Sequence, residues 1–175
     1  MKALDCLLTR RACRKYTDQV PSRDLIEQVV NAGIYAPSGM GMQSPIVVAV
    51  TNKELRDRIA KLNASFFPPE RQNMDPFYGA PAVLVVLARK NAPTYVYDGA
   101  LTMGNMLNAA HALGLASCWI HRAKQVFEGE EGKAILRDLG VEGDYEGIGN
   151  CILGYAADAP AAPAPRAEGR VFFAE

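Results

Sequence analysis

The seven residues Ala82-Val83-Leu84-Val85-Val86-Leu87-Ala88 constrain the chain most. The run has the length of a strand and contains no polar side chain. It therefore reads as a strand buried on both faces, because a half-solvated strand alternates apolar and polar positions. Neither this run nor any other stretch approaches the length needed to cross a bilayer. With 175 residues, of which 49% are hydrophobic and 22% charged, the chain is long enough for one folded domain with a substantial core.

Other elements fall on either side of that run. Ala3 to Thr9 reads as a short amphipathic helix with Leu4, Leu7 and Leu8 as its apolar stripe. Ser22 is placed to cap a second helix whose apolar residues Leu25, Ile26, Val29, Val30 and Ile34 recur at helical spacing until Ala36-Pro37 stops it. Ile46 to Val50 is a β-branched strand candidate. Thr51 to Glu54 has capping-box spacing ahead of a helix through Leu55, Ile59 and Leu62. Residues 63 to 79, with three prolines and four aromatics, read as a long irregular connection. Tyr95 to Leu113 is the longest helical candidate, with small residues set among large apolar ones and charge only at Asp98. That pattern suits a core or subunit-interface helix. Leu115 to His121 reads as a strand, Glu128 to Leu139 as a polar-faced helix, and Ile148 to Tyr155 as a further strand. Ala156 to Pro165 is Ala/Pro low complexity, expected to run extended before a last strand-like segment, Val171-Phe172-Phe173.

Charge is balanced overall, 19 basic against 19 acidic residues, so there is no global electrostatic case for nucleic acid or an anionic membrane. It is uneven locally. Residues 1 to 25 carry six cations against three acids, and residues 128 to 146 carry seven acids against two cations. Arg10, Arg11, Arg14 and Lys15 fall within six positions; such a run is either a solvated basic face or, because guanidinium forks match phosphate oxygens, a phosphate site. The N-terminus lacks a signal-peptide pattern, so a cytoplasmic protein is expected. Cys6, Cys13, Cys118 and Cys151 are scattered without CxxC or nearby His, which supports neither a disulfide framework nor a metal site. Gly39-Met40-Gly41 and Gly129 to Gly132 do not make GxGxxG between a strand and a helix, and no Walker A motif is present.

Five segments, in this order, resemble the flavin-dependent nitroreductase family: Arg10 to Tyr16; Ala36-Pro37-Ser38-Gly39-Met40-Gly41-Met42-Gln43-Ser44-Pro45; Phe77-Tyr78-Gly79-Ala80-Pro81; Ala109 to Ile120; and Ile152 to Tyr155. The resemblance covers nearly the whole chain. It implies an α+β fold in which a mixed central sheet is flanked by helices, a single FMN-binding domain over residues 1–175 with 156–175 as an extended C-terminal arm, and an intertwined homodimer. It implies FMN at the dimer interface, with Arg10, Arg11, Ala12 and Arg14 on the phosphate and ribityl chain and Arg166 completing the phosphate site. Pro37, Ser38, Gly39 and Gln43 are expected to line the ring, and Cys118, Trp119 and Ile120 to pass over it largely through backbone. NADH or NADPH is the implied electron donor, and nitroaromatics, quinones or related small molecules the acceptors in a ping-pong cycle. The flavin carries the chemistry, so no side chain is assigned as catalytic.

Four positions depart from the family pattern: Ala12 for a serine, Gly41 for an asparagine, Ala116 for a glycine and Ala164 for a lysine. They keep open a second reading, a flavin-binding or sensing module with little turnover; a third, a specialised flavin reductase or dehalogenase, is implied by the same fold. Among single residues, His111 reads as a packed histidine and Cys118 as a packed thiol, while His121-Arg122 faces either a phosphate or solvent. Phe66, Phe67, Phe77 and Tyr78 are either a movable wall over the flavin or ordinary loop anchors. Asp98 is either a helix-terminal charge or a dimer contact.

Overall fold

A computed structural model describes residues 2–160 and 162–174; Ala161, within the Ala/Pro segment, lies outside the described residues. The elements in chain order are α1 (Ala3–Thr9), α2 (Arg23–Ile34), β1 (Pro45–Val50), α3 (Lys53–Ala64), β2 (Ala82–Arg89), α4 (Tyr95–Ala112), β3 (Ala116–Ile120), α5 (Ala123–Glu128), α6 (Glu130–Asp138) and β4 (Tyr145–Gly154). The sheet order is β1-β2-β4-β3, so β2 and β4 are central. All three pairings are antiparallel. Among the described residues the parallel pairing of a mixed sheet is confined to one bridge, Ala12 with Ser117, on the outer side of β3.

The apolar run behaves as its composition requires. Every residue from Ala82 to Ala88 is buried, because β2 has a strand on each side and helices on each face. Val83, Val85 and Leu87 point with Cys118 and Ile152 into a core closed by Ile59 of α3, Val126 and Phe127 of α5, and Ile135 of α6. Ala82, Leu84, Val86 and Ala88 point the other way with Cys151 and Leu153, against Ile26 and Val29 of α2 and Met103 and Met106 of α4. Burying each such large side chain contributes roughly 1.5–3 kcal/mol relative to exposure. Helix α4 approaches β4 closely because residue 99 is glycine; a Cβ there would overlap the Ile148 side chain.

Several expectations are refined. The cap of α3 is Asn52, not Thr51: the Leu55 N–H donates to Asn52 Oδ1 at 2.9 Å, an arrangement at which asparagine is at least as effective as threonine. The helix expected over 128–139 is α6, and Glu128 ends a separate helix, α5, which is not among the expectations from sequence; the extended backbone of Gly129 between them turns α6 so that Gly132 packs on the Val126 carbonyl and Ile135 and Leu136 reach the core. The Leu4, Leu7 and Leu8 stripe of α1 is turned outward, 57–71% exposed; Cys6 is the buried residue of that helix and donates its thiol to the Asn108 carbonyl of α4. Val171-Phe172-Phe173 forms no strand and is 70–88% exposed, pairing with no strand of the chain's own sheet.

Candidate active site

The basic segment leaves α1 at Arg10 and is laced to the sheet. Cys13 N–H donates to the Ser117 carbonyl at 3.0 Å and Thr17 N–H to the Tyr155 carbonyl at 2.9 Å, while the Tyr16 hydroxyl donates to the Cys13 carbonyl at 2.8 Å. These bonds fix residues 10–17 along the outer side of β3 and the end of β4. Lys15 is neutralised by Asp158 at 2.8 Å. Arg10, Arg11 and Arg14, in contrast, pair with no carboxylate among the described residues. Arg11 folds back to donate to the Leu8 and Arg10 carbonyls at 3.0 and 2.6 Å, and its Nε is buried without a partner. Arg14 is exposed, with its guanidinium 6.0 Å from the centre of the Tyr78 ring.

Strand β3 brings Cys118, Trp119 and Ile120 alongside this segment. Burial pushes the Cys118 thiol up, more than the nearby Arg14 and Arg10 guanidiniums draw it down, so it is a packed neutral thiol. Cys151, wholly buried behind it, is pushed up to about 12 by the same burial. Trp119 lies on the opposite face, its indole over Gly149, where a Cβ would overlap the ring.

The loop carrying Pro37, Ser38, Gly39 and Gln43 is a second, separate construction. Three of its residues have left-handed backbones, Met40 (φ 53°), Gly41 (φ 65°) and Gln43 (φ 48°), a costly arrangement for the two that have side chains. It is held by Gln43 N–H donating to Ser38 Oγ at 2.9 Å and by Gly39 N–H donating to Asp98 Oδ1 at 3.0 Å. The other oxygen of Asp98 accepts the Ser44 hydroxyl at 2.8 Å. Asp98 is 2% exposed; burial alone would raise its carboxyl, but the donors from Gly39 and Ser44 prevail and hold it below the ordinary aspartate value. Gly39 is required by packing as well, since a Cβ would collide with the Thr94 side chain. Asp98 thus organises the loop, a role the sequence signalled only as one charge in an otherwise apolar helix.

The connection before β2 is anchored more firmly than its composition suggests. Helix α3 extends through Ala64, Pro69–Arg71 forms a turn, and Phe77 is fully buried. The Phe67 ring has the guanidiniums of Arg71 and Arg122 at 5.7 and 5.0 Å from its centre, and Arg122 also donates to the Phe66 carbonyl. Phe66 and Tyr78 stay 42% exposed. His111 shares a 2.9 Å hydrogen bond with Thr9 Oγ1, tying α4 to α1.

The sequence-predicted residues therefore fall into three places. Arg10, Arg11, Ala12 and Arg14 come together with Cys118, Trp119 and Ile120. The 37–43 loop sits at the other edge of the sheet: Ser117 is level with Leu153 of β4, whereas Ser44 joins Arg89, which is level with Tyr145. Those levels are seven residues apart along β2, from Ala82 to Arg89, roughly 23 Å at ~3.3 Å per residue. Arg166 lies on the exposed arm in a shallow cleft with Ala167, Gly169, Arg170 and Val171.

Residues 7–155 match the family model described as Nitroreductase family. The chain belongs to the nitroreductase family. A crystal structure of a nitroreductase with bound FMN from Bacteroides fragilis is 27% identical and superposes over 100% of both chains with a TM-score of 0.91. Two relatives carry the name "Putative NADH dehydrogenase/NAD(P)H nitroreductase". The one from Archaeoglobus fulgidus is 29% identical over 90% of this chain and 87% of its own length. The one from Methanothermobacter thermautotrophicus is 28% identical over 68% of this chain, a match spanning 60% of that relative. No helix among the described residues is long and apolar enough to cross a membrane, and no group of side chains among them is arranged to hold a metal ion. Membership of the nitroreductase family accounts for the order of the five segments and for the sheet that β3 and the basic segment share.

Proposed function

We propose that the chain is a single FMN-binding domain acting as a cytoplasmic oxidoreductase, which takes hydride from NADH or NADPH and reduces nitroaromatics, quinones or related small acceptors in a ping-pong cycle. The observation that carries this reading is the set of three arginines on one sheet edge that pair with no carboxylate among the described residues, of which Arg10 and Arg14 keep their guanidiniums free of backbone carbonyls. A phosphate monoester fits that donor set, because it supplies several acceptor oxygens and compensating charge. The FMN named for the Bacteroides fragilis structure is such a ligand. When bound, FMN supplies the reversible two-electron chemistry.

The residues of this chain bind and orient. Arg10 and Arg14 take the phosphate, Arg11 stiffens the segment through the Leu8 and Arg10 carbonyls, and Arg166 joins them from the arm. The open backbone of Ala12 and the strand Cys118 to Ile120 form the floor. The 37–43 loop is too far from Arg10 and Arg14 for both to hold one flavin mononucleotide within a single chain. That separation supports a site assembled from two copies. Exposed apolar residues on the contacting helices α1 (Leu4, Leu7, Leu8) and α4 (Tyr97, Leu101), and on the arm (Phe172, Phe173), support a homodimer through that surface. Steady-state kinetics test the reaction. Parallel double-reciprocal lines for NADPH or NADH against a quinone agree with the cycle; no nicotinamide oxidation by FMN-loaded protein overturns it.

A further inference from the structure

Tyr78 has a side chain where the backbone favours glycine. It adopts φ 53°, next to Gly79 at φ 73°, and a bulky residue keeps such a conformation only when its surroundings enforce it. The surroundings do enforce it. Asp75 accepts Phe77 N–H at 2.9 Å through one oxygen and Gly79 N–H at 2.8 Å through the other, and Ala80 N–H closes the turn on the Phe77 carbonyl at 2.9 Å. Asp75 is held in turn by Arg56, whose side chain is 9% exposed; its guanidinium donates to Asp75 at 2.6 Å, its Nε to the Ala80 carbonyl at 3.0 Å, and it lies 5.3 Å from the centre of the fully buried Phe77 ring. This strut makes no use of the Tyr78 side chain. Core packing does not explain it either, since Tyr78 is 42% exposed. What the strained residue presents its ring to is Arg14, whose guanidinium stands over the ring at 6.0 Å from its centre, the outer range of a cation–π arrangement.

We propose that Tyr78 is a positioning residue for Arg14: the Arg56–Asp75 strut presents its ring to the guanidinium, which is thereby pre-ordered for the phosphate end of the ligand. The inference rests on the flavin reading above and adds to it a role for the tip of the 63–79 connection, as a fixed support instead of a moving wall. Ordering a long, exposed arginine before binding removes part of the entropy cost that binding otherwise carries.

The test compares FMN with riboflavin, which has the same ring system and no phosphate, by fluorescence titration of Tyr78 variants. Tyr78→Ala is expected to weaken FMN by about two- to fivefold, the size of an exposed cation–π contact, and to leave riboflavin unchanged. Tyr78→Phe is expected to match the wild type. Tyr78→Gly is expected to raise the melting temperature, because glycine accepts the left-handed backbone, while weakening FMN as Tyr78→Ala does. Equal loss for both flavins, no loss for FMN, or a Tyr78→Phe variant that behaves as Tyr78→Ala each overturns the inference. A wild type with no preference for FMN over riboflavin overturns the phosphate reading of Arg14 itself, and this inference with it.

Discussion

Asp98 and Gly39 are 59 positions apart in the chain, and the carboxylate of one accepts the amide of the other at 3.0 Å. Through that bond and the one from Ser44, a buried charge on the first turn of α4 fixes a loop that contains three left-handed residues. The loop closes its own turn, with the Gly41 and Met42 amides donating to the Ser38 and Gly39 carbonyls at 3.0 Å and Gln43 N–H donating to Ser38 Oγ. Asp98 ties that turn to the helix, which is itself set by Gly99 against β4.

Removal of that anchor is therefore expected to loosen the loop without dismantling the core. Asp98→Ala leaves the Gly39 amide and the Ser44 hydroxyl without their acceptor, at a cost of about 2 kcal/mol in stability by thermal or urea unfolding. Gly39→Ala, which drives a methyl into Thr94, is expected to act in the same direction.

The same carboxylate sets an acid limit. Its folded pKa lies below the ordinary value of 3.8, so the unfolded chain binds the proton more readily. The stabilisation it gives is complete above the unfolded pKa and is lost as pH falls through the folded one. Melting temperatures measured from pH 6 down to pH 3 are expected to fall less steeply in Asp98→Asn than in the wild type below about pH 4. Identical profiles would remove Asp98 from the acid transition.

Arg14→Ala removes a charge-assisted contact to phosphate, worth about 1.5–3 kcal/mol, and is expected to weaken FMN roughly tenfold or more while leaving riboflavin affinity near the wild-type value. Unchanged FMN affinity in a titration would take Arg14 out of the site.

The surface of α1 supplies a test of assembly. Leu8 is 71% exposed in the single chain, so Leu8→Asp costs the isolated fold little. Across a dimer interface it places a charge against apolar groups. Light scattering is expected to give a dimer for the wild type and a monomer for the variant, with flavin lost and far-ultraviolet circular dichroism retained. A wild-type monomer at micromolar concentration would contradict the two-copy site.

Much of this architecture was legible in the residues themselves. The bounds of α1, the Ser22 cap of α2 and the burial of Ala82 to Ala88 follow from local patterns, and the structure reproduces them. The Ser22 side chain accepts the Leu25 amide as its position implied. What escaped was set by distant partners. The break at Gly129 comes from the packing of Gly132 on α5, and the Asp98 anchor joins segments whose proximity no local pattern reports. The outward face of α1 and the unpaired Val171-Phe172-Phe173 could not be read from periodicity, which shows that a face is apolar and not what covers it. The site was legible in its parts and not in its layout: Arg10 to Arg14 and the 37–43 loop were both singled out, yet only the sheet register shows them at opposite edges.

The most direct test of the flavin reading is the visible absorbance of freshly purified protein, followed by denaturation and identification of what is released. Yellow protein that releases FMN at close to one molecule per chain, two per dimer, is the expected result. Colourless protein that also fails to bind added FMN would contradict it, leaving three uncompensated arginines on the β3 edge with no phosphate to hold.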